Sequence, residues 1–135
     1  MTEKLKRNNF ITHQIGLHYV AYLLSKRGFR LEIDYSVSEH GHLKVNNGHE
    51  KVLLLSKTLS DLVPVPFTRK EVDSLNEFKA MIVCVGAYDN TPTLYEVPIE
   101  IVKERIKHNV GTNGELDYWL DVDKYKEMSI VEPII

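Results

Sequence analysis

Hydrophobic and polar positions recur along the first third of the chain in two different periods. Within residues 11–27 the apolar side chains repeat at helical spacing and are numerous enough to predict a helix that is buried on most sides. Gly28 follows directly, and a glycine there suits a left-handed helix end. Residues 29–38 instead alternate strictly between apolar and polar side chains, which predicts a strand with one buried face.

Two further strands are predicted after the next turn. Residues 42–46 and 49–57 flank Asn47-Gly48, a dipeptide that suits a tight hairpin, so the three strands should form a meander. The run at residues 52–55 is apolar without interruption, as is typical of a central strand that is covered on both faces.

The middle of the chain combines an extended crossing with a short helix. Pro64 and Pro66 predict that residues 58–67 cross the molecule without regular structure. Thr68 and Glu71 have the spacing of a capping box, in which each residue hydrogen-bonds the backbone of the other. We therefore expect a short helix that begins after Thr68.

The last third of the chain adds strands and a closing helix. Residues 80–85 are continuously apolar and predict another central strand, which residues 93–97 should pair with. Pro98 is placed to open a helix. Residues 109–115 have the composition of a loop, and residues 117–128 are expected to form a last strand and a helical turn.

Length and composition are those of an ordinary globular domain. The chain has 135 residues, of which 43% are hydrophobic and 27% charged, so it can bury a real core without a metal or a disulfide. We expect a single domain over residues 1–135, of the α/β (α+β) class, with a mixed central β-sheet flanked by helices. The formal net charge of -2 argues against tight binding of nucleic acid by bulk electrostatics.

Cysteine use and hydropathy predict the compartment. Cys84 is the only cysteine and lies in an apolar run, which indicates a buried thiol in a reducing environment. No apolar stretch approaches the roughly 18 residues of a membrane span, and residues 1–9 are too polar for a signal peptide. We therefore expect a cytoplasmic protein that makes no contact with a membrane.

Four short motifs carry a resemblance to a known family. They are Gly16-Leu17-His18-Tyr19-Val20-Ala21-Tyr22-Leu23-Leu24 with Gly28 behind it, His42-Leu43, Leu55-Ser56-Lys57-Thr58, and Tyr95-Glu96-Val97-Pro98. Together with the order of the predicted elements, they resemble the PD-(D/E)XK nuclease superfamily over nearly the whole chain. The resemblance implies a restriction-endonuclease-like αβββαβ core.

The same resemblance implies an active site that has lost its acids. Such nucleases place Asp and Glu or Gln on adjacent strands, where they hold Mg²⁺ beside the scissile phosphate with the help of a lysine. The corresponding positions here are Leu17, His42, Leu55 and Lys57. Leucine has no ligand atom, and imidazole is a poor ligand for a hard cation. We therefore expect a non-catalytic relative without a cofactor or metal, whose role is binding or assembly.

Two alternatives remain open. Glu32, Asp34 and Glu39 could converge on the site and restore a Mg²⁺ cage, which would make the chain an active metal-dependent nuclease. Their alternation with apolar residues predicts a solvated sheet face more simply. A literal Glu-x-Lys motif at residues 77–79 precedes a strand rather than ending one, and we interpret it as coincidence. The other alternative is a structural protein that forms a homodimer through an exposed strand edge.

Four basic residues are further candidates for a binding site. If nucleic acid is a partner, Lys57, Lys44, Lys51 and Arg30 are the residues that we expect to contact phosphates, with weak and salt-sensitive affinity.

His40, His42 and His49 lie close to the predicted hairpin. The spacing of the first two could hold a transition metal, although ordinary surface histidines are the simpler interpretation. His18, on the predicted first helix, is expected to be a hydrogen-bonded packing residue.

Overall fold

A computed structural model describes residues 9–46, 48–61, 64–110 and 116–120 of the chain. The secondary-structure elements of these residues follow the chain in a simple alternation of helices and strands. They are α1 (Asn9–Lys26), β1 (Arg30–Asp34), β2 (His42–Asn46), β3 (Lys51–Leu59), β4 (Val65–Phe67), α2 (Arg69–Asp73), a short 3-10 helix (Leu75–Glu77), β5 (Phe78–Val85), β6 (Thr93–Pro98), α3 (Ile99–Arg105), β7 (Lys107–Val110) and β8 (Leu116–Leu120).

The larger sheet has five strands in the order β1-β2-β3-β5-β6. Strand β2 is antiparallel to both β1 and β3, β5 is parallel to β3, and β6 is antiparallel to β5. The parallel step from β3 to β5 passes through β4, α2 and the 3-10 helix. The sheet is therefore mixed, and the predicted α+β class with a mixed central sheet and helices is confirmed.

Helix α1 packs against one face of this sheet through a single side. Its buried residues are Leu17, Val20 and Leu24, which join apolar side chains of β2, β3 and β5 in one cluster. Tyr22 is 58% exposed and His18 is also exposed. The predictions that this helix is buried on most sides and that His18 is a packing residue are therefore wrong, because the helix has a solvent side.

Two glycines fix the position and the end of α1. A Cβ at Gly16 would lie 1.9 Å from Oγ1 of Thr58, so the helix can approach β3 this closely only at a residue without a side chain. At the other end, the N–H of Gly28 donates to Ser25 and the N–H of Phe29 donates to Leu24, while Gly28 has a φ of +93°. This is a Schellman ending, and it confirms the predicted role of Gly28.

The opposite face of the sheet holds the larger apolar cluster. It is centred on β3, β5 and β6 and is covered by the segment from β4 to the 3-10 helix and by α3; its most deeply buried members include Leu55, Met81, Val83, Val97 and Val102. Over β1 and β2 the same face instead carries charged side chains that reach solvent. This face of the sheet is therefore polar and open to solvent over β1 and β2, where a charged partner could bind.

Three predicted strand segments differ from the structure. Strand β3 begins at Lys51 rather than at His49, and Asn46 pairs with Lys51, so the hairpin is wider than the predicted tight turn. Strand β1 is shorter than residues 29–38, because the Asp34 carboxylate accepts hydrogen bonds from the backbone N–H and the hydroxyl of Ser36 and turns the chain there. The crossing at residues 58–67 also contains regular structure. Its end is β4, which pairs with β8 as an outer strand of a second sheet ordered β4-β8-β7. An outer strand tolerates Pro66, because one side of it needs no N–H donor.

The C-terminal strands agree with the predictions in part. Strand β7 (Lys107–Val110) extends into the segment predicted to be a loop, while β8 (Leu116–Leu120) agrees with the predicted last strand. The predicted helical turn, up to residue 128, lies outside the described residues. Within the described ranges, no helix is both long and apolar enough to cross a lipid bilayer.

Candidate functional site

The four positions implied by the family resemblance are divided between the two faces of the sheet. Leu17 lies on α1 and is buried against one face of the sheet, whereas Leu55 belongs to the cluster on the opposite face. Because Leu43 pairs with Leu54, His42 lies beside Leu55 on the neighbouring strand, and Lys57 follows two residues later with its side chain on the same face. The structure therefore brings His42, Leu55 and Lys57 together and leaves Leu17 on the other side.

A buried glutamate links Lys57 to His42. The Glu71 side chain, only 3% exposed, contacts Lys57 Nζ through Oε1 at 2.5 Å. Its Oε2 lies 3.1 Å from Nε2 of His42, which is 1% exposed. The backbone N–H of Thr68 also donates to Oε1, at 2.9 Å. We call Glu71, Lys57 and His42 the charge triad.

The histidine of the charge triad is held from two sides. Its Nδ1 accepts a hydrogen bond from the backbone N–H of Ser56 at 3.0 Å, so a neutral ring carries its proton on Nε2. That proton faces the Glu71 carboxylate, but the contact does not have the geometry of a regular hydrogen bond. It is a close electrostatic attraction. The ring also meets Phe78 edge to face, with centroids 5.1 Å apart.

The electrostatics of the charge triad favour an ionised Glu71. Burial acts to raise the pKa of its carboxyl group, but the contacts with His42, Lys57 and Thr68 outweigh burial and lower the pKa to about 2. Burial also lowers the pKa of Lys57, against the opposing attraction of Glu71. The carboxylate is thus the fixed charge of the site, and the lysine is its nearest cation.

The capping box explains why Glu71 points inward. The Thr68 hydroxyl accepts from the Glu71 backbone N–H at 3.1 Å while the Glu71 carboxylate accepts from the Thr68 backbone N–H, as predicted from their spacing. This reciprocal pair fixes the side chain over the end of β3. The sequence prediction included the capping box but missed the contact with Lys57. No signal in the sequence connects these two residues, which are 14 positions apart.

The three acids that were proposed to relocate pair elsewhere. Glu32 lies 3.2 Å from Lys51, and Asp34 lies 3.1 Å from Lys44. Hydrogen bonds from Ser36, together with Lys44, lower the pKa of Asp34 to about 2. The side chain of Glu39 is 91% exposed, in a loose contact with His40 at 3.9 Å. The acid that does reach Lys57 is Glu71, which was not among these candidates.

The four proposed phosphate-contacting residues share one face of the sheet. Arg30, Lys44 and Lys51 line a shallow depression of about 240 Å³ on β1, β2 and β3. Lys44 pairs with Leu53, which lies four residues before Lys57 on the same strand, so all these side chains extend from one face. Lys57 is set apart from the other three by its burial, since its side chain is only 13% exposed.

The histidines form a different group from the one predicted. His49 is exposed and His40 is partly exposed, but His42 is buried, so the surface interpretation is wrong for His42. His13, on α1, was missed: its Nε2 lies 2.7 Å from the Gly41 carbonyl, and its ring is 5.6 Å from His40 and 6.1 Å from His42. Among the described residues, no three His, Cys, Asp or Glu side chains are arranged to hold a metal ion.

A cleft of about 470 Å³ opens beside the charge triad. It lies between the first turns of α1, the end of β3 and the segment that leads to α2, and its polar lining includes His13, His40, Lys57 and Thr68. Phe67 forms part of its apolar wall, with its ring centroid 5.0 Å from Lys57 Nζ. Lys57 is therefore the member of the charge triad that reaches the cleft.

Fold and site together define an α+β domain in which a buried ion-pair network lies under a polar cleft. Comparison of the chain with protein-family models, with curated proteins and with solved structures found no match.

Proposed function

We propose that this chain is a non-catalytic PD-(D/E)XK-like domain with a binding or assembly role, and that nucleic acid is its partner. The order of elements supports this proposal: α1, the meander β1-β2-β3, a crossing that contains α2, and β5 parallel to β3. This order matches the αβββαβ core that the motifs imply. The positions of His42 and Lys57 on adjacent strands support it as well.

The observation that carries the proposal is that protein groups already contact both oxygens of the Glu71 carboxylate. Its Oε1 accepts from Lys57 and Thr68, and its Oε2 faces His42, so both oxygens already contact protein groups. Mg²⁺ prefers near-octahedral coordination by oxygen atoms, including carboxylates. A magnesium ion at Glu71 would have to displace the Lys57 ammonium and would meet Leu55 where a further acid is needed. The lysine thus neutralises the carboxylate in place of a metal.

The proposed binding surface is the polar face of β1, β2 and β3. Its three cations, Arg30, Lys44 and Lys51, stand close enough to line one depression. Because Lys44 and Lys51 already pair with acids, a phosphate must compete with those carboxylates. We therefore expect weak affinity that falls steeply as salt is added.

Binding is tested with a fluorescently labelled DNA duplex by anisotropy. Three phosphate contacts predict that affinity falls by roughly fortyfold between about 50 and 200 mM salt. Arg30→Ala should weaken binding and reduce the salt slope. The matched control is Lys26→Ala, which removes an exposed cation from α1 on the opposite side of the sheet and should change neither quantity. Absence of binding at the lowest salt would reject nucleic acid as the partner.

One observation favours a second candidate function. Glu71 is a buried, ionised carboxylate beside the lysine of the resembling motif, so it could serve as a relocated acid of an active metal-dependent nuclease. This candidate needs Mg²⁺ to outcompete Lys57 for the carboxylate oxygens, at a site whose other near neighbours are His42 and Leu55.

Plasmid cleavage separates the two candidates. The purified protein is incubated with supercoiled plasmid and Mg²⁺ or Mn²⁺, next to Lys57→Ala and Glu71→Gln. The non-catalytic proposal predicts no nicking above the buffer background in any sample. Nicking by the wild-type protein that is lost in both variants, but kept in the exposed control Glu100→Gln, would establish the nuclease instead.

A further inference from the structure

The two ends of the large sheet differ in how open they are. Strand β1 is an end strand that pairs with β2 within the part of the chain that the structure describes, so its outer edge presents backbone donors and acceptors to solvent. Strand β6, at the other end, finishes in Pro98 and has three buried side chains, Leu94, Tyr95 and Val97. Proline and burial restrict β6, whereas β1 remains available for pairing.

The residues of β1 are complementary to a second copy of the same strand. We propose that two copies of this chain associate by antiparallel pairing of β1 with β1, with Leu31 opposite Leu31 at the two-fold axis. In this register Arg30 of each copy lies opposite Glu32 of the other, which forms two opposite-charge cross-strand pairs. Both side chains are exposed in the single chain, so they can reach a partner.

The other face of the same strand supplies apolar contacts. In the proposed register Phe29 lies opposite Ile33 of the second copy, on the side of the sheet that α1 covers. Phe29, Leu31 and Ile33 are only partly buried in the α1 cluster, so pairing would remove more of their surface from water. Tyr35, just beyond the strand, is 61% exposed and adds apolar surface at this edge.

Electrostatic interactions favour the register with Leu31 opposite Leu31 and a second copy of β1 as the partner. A pairing centred one residue later would put Glu32 opposite Glu32, and like charges directly opposite one another are destabilising. The contact of Glu32 with Lys51 does not prevent the proposed pairing, because it joins two half-exposed side chains and such a pair is weak. The partner whose charges complement this strand edge is therefore β1 of a second copy of the chain.

Charge exchange tests the proposal through mass in solution, measured by sedimentation equilibrium over a wide concentration range. The wild-type chain should show a monomer–dimer equilibrium. Arg30→Glu alone, or Glu32→Arg alone, should weaken dimerisation by about tenfold or more, because two attractive pairs become repulsive. A mixture of these two variants should form a heterodimer, because the acidic strand of one then faces the basic strand of the other. The matched control is Lys79→Glu, an exposed site on β5 with the same change of charge.

Cysteine cross-linking tests the register independently. Leu31→Cys should form a disulfide-linked dimer on mild oxidation, whereas Glu32→Cys should do so much more slowly; the native Cys84 does not interfere, since it is 1% exposed. Three results would each overturn the proposal. They are a wild-type chain that stays monomeric at every concentration, a dimer that is insensitive to both charge reversals, and faster cross-linking at position 32 than at position 31. None of these results depends on whether the chain binds nucleic acid.

Discussion

Replacement of Glu71 by glutamine removes one negative charge and puts an amide NH2 where Oε2 faces the His42 ring. Glutamine has the same shape, and its amide oxygen can still accept the backbone N–H of Thr68, so the capping box can persist. What is lost is the negative charge that lies 2.5 Å from Lys57 and 3.1 Å from His42. Glu71→Gln therefore tests mainly the electrostatic contribution of the charge triad.

The size of the effect follows from the pKa of the carboxyl group. Its pKa is lowered from an ordinary value of 4.5 to about 2, which corresponds to about 3 kcal/mol at about 1.4 kcal/mol per pKa unit. The loss of one partner from a buried ion pair costs a similar amount, roughly 3 to 5 kcal/mol. Because Glu71 is 3% exposed, solvent screens little of this interaction. We expect Glu71→Gln to lower the free energy of unfolding by about 3 kcal/mol.

The same argument fixes the pH dependence. A carboxyl group whose pKa is lower in the folded state stabilises the protein when it is ionised. The contribution of Glu71 is therefore complete above about pH 4.5 and is lost as the pH falls toward about 2. The difference in stability between wild type and Glu71→Gln should be constant near neutral pH and shrink through this acidic window.

Urea denaturation followed by circular dichroism measures both quantities. The control is Glu100→Gln, which breaks an exposed i,i+3 contact with Lys103 and should cost less than about 0.5 kcal/mol. In the variant that combines Glu71→Gln with Lys57→Met, the loss should be clearly smaller than the sum of the single losses, because neither charge is left unpaired. A loss below about 1 kcal/mol for Glu71→Gln, or additive single effects, would refute the reasoning.

Three further predictions test other parts of the fold. Gly16→Ala should destabilise the protein by about 1 to 3 kcal/mol in the same assay, because the added Cβ meets the side chain of Thr58; a wild-type melting curve would contradict this. His42→Leu should cost about 1 to 3 kcal/mol, since the buried N–H of Ser56 loses its acceptor, and an unchanged unfolding midpoint would count against it. Burial raises the pKa of Cys84 to about 11, so a thiol reagent at pH 8 should react slowly with the folded chain and rapidly in urea. Equal rates would show that the thiol is accessible.

Local patterns predicted most of the elements of the larger sheet. Alternation, continuous apolar runs and turn residues report the environment of a segment directly, so the meander and the central strand β5 could be derived from residues close together in sequence. The parallel pairing of β5 with β3 required the structure. Pro66 misled the prediction of the crossing, because proline excludes a central strand but is compatible with the outer strand β4. The packing of α1 was also overestimated, since Tyr22 and His18 are apolar or amphipathic residues that nevertheless face solvent.

Only some residues of the candidate site could be predicted from the sequence. His42 and Lys57 were named together because the family resemblance implied it, and each lies on a predicted strand. The tight hairpin did not give their register, because Asn46 pairs with Lys51 rather than with His49. Glu71 reaches them across a crossing whose path the sequence does not specify, and its capping-box spacing already accounts for its presence at that position. His13 was missed for the same reason: it lies beside His40 and His42 only because α1 packs on the sheet at Gly16. Contacts between distant segments required the structure.

The central claim is that the Lys57 ammonium takes the place of a metal at Glu71, and binding of Mn²⁺ tests it most directly. Electron paramagnetic resonance measures free Mn²⁺ as the ion is added to the wild-type chain, to Lys57→Ala and to Glu71→Gln. The account predicts that wild type and Glu71→Gln leave the same amount of Mn²⁺ free, because the carboxylate is already neutralised by the lysine. One Mn²⁺ bound tightly per wild-type chain, and lost in Glu71→Gln, would contradict it.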